Sequence, residues 1–130
     1  MDIEKHINYW VKSAEHDLET AETLMSGGKY DWALFIGHLI LEKILKAHYI
    51  KTKREFPEKT HNLIRLANLA EIELTKEQRI FFEQVNSFHI SSRYPDEQFK
   101  FYQLCTKKFA ATNFKNIKEK YKWLKKNLKF

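Results

Sequence analysis

Apolar residues recur along the first part of the chain at positions 3, 7, 10/11, 14, 18, 21 and 24/25, steps of three and four that mark one face of an α-helix. This predicts helix 1 from Ile3 to Met25. Ser26-Gly27-Gly28 closes it, since glycine enters the left-handed conformation of a helix end at little cost. The next stretch, from Tyr30 or Asp31 to about Lys53, is apolar on most of its circumference: Trp32, Ala33, Phe35, Ile36, Leu39, Ile40, Ile44, Leu45, Ala47 and Ile50 leave only a narrow polar strip. Such a helix needs neighbours on several sides, so helix 2 is expected in the middle of a bundle, antiparallel to helix 1.

Asp31 suits the start of helix 2 as N-cap or first-turn acid. Thr52 to Lys59, charged and carrying Pro57, reads as a loop, and Thr60 is the expected N-cap of a short helix from His61 to about Ala70. Thr75 and Gln78 have capping-box spacing and open a helix from Lys76 to about Ile90, with Phe81/Phe82, Val85 and Phe88 inward. Pro95 makes Ser91 to Lys100 a loop or broken turn, and the last helix begins near Phe101, with an apolar stripe at 110, 114, 117, 121, 124 and 128. The predicted fold is all-α: one domain over residues 1–130, an up-and-down bundle of four long helices plus one short helix.

Composition supports this. Hydrophobic residues make up 43% of the 130 residues, enough for a core, while three Gly and two Pro are too few for the turns of an all-β domain. The single cysteine, Cys105, excludes an intrachain disulfide and cysteine zinc sites, which favours a reducing, cytoplasmic setting. No apolar run reaches the roughly 18 to 20 residues of a membrane span, so no membrane partner is expected. The net charge of +6 is concentrated: Lys115, Lys118, Lys120, Lys122, Lys125, Lys126 and Lys129 face one acid, Glu119, from residue 115 on, and the rest of the chain is balanced.

The polar strip of helix 2 carries the first candidate chemistry. His38, Glu42 and Lys46 stack at i, i+4 and i+8. With Lys43 available for phosphate they suit a ligand groove, although Glu42 and Lys46 have equally the spacing of an ordinary surface pair. His38 and Glu42 are two ligands without a third, so neither a metal nor a cofactor is expected. Arg93, Tyr94 and Asp96 flank Pro95; a guanidinium binds phosphate and a neighbouring ring stacks on a base, or Arg93 pairs with Asp96 or Glu42 while Tyr94 plugs the bundle end. His61 either contacts a ligand or packs locally. Lys115, Lys118, Lys122, Lys126 and Lys129 form a basic stripe, with Trp123 off the apolar seam. They are nucleic-acid candidates or a solvated face complementing the helix dipole.

Several of these pieces occur in a recognisable order: Trp10, Ala14, Asp17 and Leu18 on helix 1; Gly27-Gly28-Lys29-Tyr30-Asp31 at the turn; Glu42-Lys43 and Lys46-Ala47 on helix 2; Thr60-His61-Asn62-Leu63; and Ser92-Arg93-Tyr94-Pro95-Asp96. Together they resemble the HEPN domains, named for higher eukaryotes and prokaryotes nucleotide-binding. The resemblance implies a helical bundle that dimerises and is often encoded beside, or fused to, a minimal nucleotidyltransferase, which would be its partner together with a nucleotide or RNA. Other members of the superfamily are ribonucleases, some toxin-like, in which an Arg is followed after four to six residues by a His. Here no His follows Arg93, His89 lies upstream of it, Arg54 has His61 seven residues on, and Arg65 and Arg79 lack a suitable His. The expectation is a non-catalytic binding module. The alternative is a nuclease using Arg93 with an unconventional base such as His89 or His61.

Overall fold

The computed structural model describes residues 1–91 and 94–128, which form six helices: α1 (Ile3–Ser26), α2 (Tyr30–Lys53), α3 (Leu63–Leu69), α4 (Lys76–Ser91), α5 (Pro95–Leu104) and α6 (Lys107–Lys126). The all-helical expectation holds, and none of these helices is long and apolar enough to cross a membrane. The helix count does not hold. Pro95 opens a helix instead of breaking one: its missing N–H and fixed φ suit the first helical position, Tyr94 before it is extended, and Asp96 and Glu97 supply first-turn acids. That helix ends at Cys105, and Thr106 then caps α6, its hydroxyl accepting the Phe109 N–H at 3.2 Å. The single helix expected from Phe101 is therefore two.

α2 touches every other helix, the central position its all-round apolar surface predicts. Ile40, Leu41, Ile44 and Leu45 are fully buried, each worth about 2 kcal/mol of apolar burial. The α1–α2 reversal runs through Gly28, whose φ of 74° is the left-handed conformation that glycine permits, and the Lys29 N–H donates to the Leu24 carbonyl at 2.8 Å. Gly37 sits where α6 crosses α2; a Cβ there would lie 2.6 Å from Ile117 Cδ1, so the missing side chain sets how closely the helices approach. Cys105 is buried against this core, and burial, with Asp31 nearby, pushes its thiol up to about 12.

The capping box at Thr75 and Gln78 forms as expected, with both reciprocal bonds made. The start of α3 differs. Asn62, not Thr60, is the N-cap; its Oδ1 accepts from the N–H groups of Ile64 and Arg65, and Asn86 of α4 bonds both Asn62 and the Leu63 N–H. An Asn cap tied to α4 outcompetes the upstream threonine, which bonds only the Asn62 N–H. His61 is thereby left outside the helix, with its carbonyl and ring free of helical bonding.

Candidate functional site

The polar strip of α2 faces inward, toward the loop that carries His61. His38 is fully buried, and its Nε2–H donates to the His61 carbonyl at 2.8 Å. That bond places the neutral lone pair on Nδ1, which lacks a hydrogen-bond partner and lies 3.8 Å from Glu42 Oε1. Burial is the main reason the His38 imidazole is pushed down to about 4; the Glu42 carboxylate and the His61 carbonyl pull the other way and lose.

Glu42 is the hub. Oε1 accepts from His61 Nδ1–H at 2.8 Å and Oε2 from the Lys46 ammonium at 3.0 Å. Burial alone would raise its carboxyl pKa, but the hydrogen bonds from His61 and Lys46 together outweigh it and the group stays below the usual range. Glu42 and Lys46 are 4% and 8% exposed, so this is a buried pair, not the surface pair that the spacing also allowed. The Lys46 ammonium also lies 5.1 Å from the Trp10 ring centroid, which ties the strip to α1.

His89 completes the cluster from α4. Its ring stacks on His61 with centroids 4.3 Å apart, on the other side approaches Phe35 at 5.7 Å, and lies 4.9 Å from His38. His61 alone among the three histidines is substantially open, with 47% of its side chain exposed. The arrangement is an imidazole oriented by a buried carboxylate, backed by a second imidazole and presented at the surface. It can accept or donate a proton, or hydrogen-bond a polar ligand, at Nε2.

A family model of the HEPN domain matches residues 7–128. The chain belongs to the HEPN family. The HEPN domain described here is also similar in fold to the crystal structure of TT1696 from Thermus thermophilus, with a TM-score of 0.76, 19% identity, and coverage of 93% of this chain and 97% of that one. No curated protein matches the chain.

Of the residues singled out from the sequence, this HEPN domain brings His38, Glu42, Lys46 and His61 into one network. Lys43 lies apart, its ammonium 2.7 Å from Asp17 Oδ2 on α1. Tyr94 is 60% exposed and does not plug the bundle end, and Asp96 is an exposed first-turn acid of α5. Arg93 lies outside the described residues. On α6, Lys115, Lys122 and Lys126 are exposed, and Lys118 rests over the Phe114 ring. Trp123 was expected off the apolar seam; it is half-buried against the main core, because a ring of that size reaches the core from the seam's edge, beside Leu124. Lys129 lies outside the described residues. His89 was missing from the binding set. Its signal is positional: it follows Phe82 and Val85 at i+7 and i+4 on the inward face of α4, where a histidine needs a partner.

Proposed function

We propose that this HEPN domain is a binding module for a nucleotide or nucleic acid, non-catalytic in itself, homodimeric, and acting with a minimal nucleotidyltransferase. The observation that supports the reading best is the exposed face of His61, held by Glu42 and stacked on His89. It is a rigid polar contact at the surface, with the Arg93-Tyr94-Pro95-Asp96 stretch beginning four residues beyond His89. A pre-oriented imidazole loses little freedom on binding, which favours a ligand phosphate or base edge. Affinity copurification under nuclease treatment should yield a near-equimolar nucleotidyltransferase. Nucleotide should raise the melting temperature of the complex, and His61→Ala or Arg93→Ala should abolish that rise while leaving the unliganded melting temperature within a few degrees. A chain that copurifies alone and shows no nucleotide-dependent stabilisation rejects the reading.

A second reading, RNA cleavage, is favoured by one observation: the Glu42–His61 pair has the carboxylate–imidazole arrangement of a general base. In this reading His61 Nε2 takes the proton from the attacking hydroxyl and Glu42 stabilises the imidazolium. Purified protein incubated with single-stranded and structured RNA should then produce cleavage that His61→Ala reduces at least about a hundredfold. Intact RNA, or cleavage that survives the substitution, removes this reading.

A further inference from the structure

α6 carries charge that neither its packing nor its own electrostatics accounts for. Between Lys107 and Lys126 it holds eight lysines and one acid, Glu119. Its buried side is Ala110, Asn113, Phe114, Ile117, Tyr121 and Leu124. At about 100° per residue, Lys108, Lys115, Lys122 and Lys126 fall close to one line on the opposite side, all exposed, spanning about 27 Å.

Three other lysines of the helix have local partners: Lys125 bonds Glu15 on α1 at 2.7 Å, while Lys118 and Lys120 lie over the rings of Phe114 and Phe81. The four aligned lysines have neither an anion nor a ring among the described residues. The helix dipole favours cations only in the last turn, which holds Lys125 and Lys126; Lys107 and Lys108 occupy the first turn, where cations are disfavoured and no acid offsets them. Lys118, Lys122 and Lys126 repel one another at i, i+4 spacing. Helix stability therefore does not explain the line.

We propose that this face of α6 docks the phosphate backbone of a nucleic acid and grips it without reading sequence. A linear polyanion turns a row of mutually repelling ammonium groups into a binding surface, because each contact also releases condensed counterions. Lysine contacts phosphate as a point charge, and the line carries no arginine fork and no open aromatic face for base stacking, Trp123 being half-buried in the core. An anionic membrane fits poorly, since an interfacial helix needs a free apolar face and that of α6 is spent on the bundle. The proposal goes beyond the reading above, because it makes no use of the Glu42–His61 site.

The test is fluorescence anisotropy of the full chain with a labelled mixed-sequence RNA long enough to span α6, as single strand and as duplex, across a salt series. Four phosphate contacts predict a slope of log affinity on log salt of about −3 for the single strand and about −4 for the duplex. Replacing Lys115, Lys122 and Lys126 together by Gln should weaken binding at low salt at least tenfold and flatten the slope to about −1, while replacement by Arg preserves both. Substituting the exposed Lys5, Lys12 and Lys76 by Gln makes the same change in net charge away from α6 and should leave affinity close to that of the original chain. All these positions are exposed, and retained helical circular dichroism verifies folding. A shallow slope in the unsubstituted chain, equal loss from the two Gln triples, or competition by polyglutamate as effective per charge as RNA would overturn the proposal.

Discussion

Glu42→Ala is expected to lower the unfolding free energy by about 3 to 5 kcal/mol at neutral pH, read from urea denaturation. The carboxylate is the only anion paired with Lys46 in a region where both side chains are almost wholly removed from water, and it also accepts the His61 Nδ1–H. Removing it leaves an ammonium group buried without a counter-charge, and the cost is that group's desolvation more than the bond itself. A surface pair of the same spacing would cost at most about 1 kcal/mol. Adding Lys46→Met to Glu42→Ala should recover a large part of the loss, since it removes the stranded charge and keeps the aliphatic contact with Trp10. A single-variant loss below about 1 kcal/mol, or a double variant no more stable than the single, would show that the pair behaves as if solvated. The expected loss also disqualifies Glu42→Ala as a neutral probe of binding. His61→Ala is the better probe, because nearly half of that side chain is already in water.

That contrast marks where sequence reasoning stopped. The central place of α2, its antiparallel pairing with α1 and the Thr75 cap were legible because each depends on local spacing that packing reinforces. The alignment of His38, Glu42 and Lys46 was legible for the same reason. Whether their strip faced solvent was not, since periodicity fixes which residues share a line and is silent about what covers it. The cover is His61, brought 19 residues back to Glu42 by a loop whose course depends on Asn62 and Asn86 meeting across α3 and α4. No spacing rule encodes such a contact. The α5–α6 break was missed because the apolar residues on either side keep helical rhythm, and a threonine cap without a reciprocal acid is a weak signal. Pro95 misled in the opposite sense: the same residue that forbids helix behind it favours helix ahead of it.

Acid should destabilise the domain well before ordinary carboxylates titrate, and His38 sets the window. Its folded-state pKa of about 4 lies below the ordinary 6.5, so between these values the unfolded chain takes up a proton that the folded chain refuses. The stabilisation is complete above pH 6.5, declines as pH falls, and is gone below about 4; its full size is about 3 kcal/mol. The groups facing the ring are Glu42 on its own helix, His61 on the loop and His89 on α4, and the carboxylate's attraction is already included in the depressed value. His48, buried with its Nε2–H donating to the Leu124 carbonyl, is shifted in the same direction and adds loss of the same sign. Glu42 contributes further down: its depressed carboxyl pKa gives stability that is present above the ordinary 4.5 and lost as pH falls below it. His38→Gln keeps a donor for the His61 carbonyl and removes the titration. Between about pH 7.5 and about pH 4 the variant should therefore lose about 3 kcal/mol less than the unsubstituted domain, whatever its stability at neutral pH. Parallel stability curves for the two proteins would show that His38 is not the group whose protonation the fold resists.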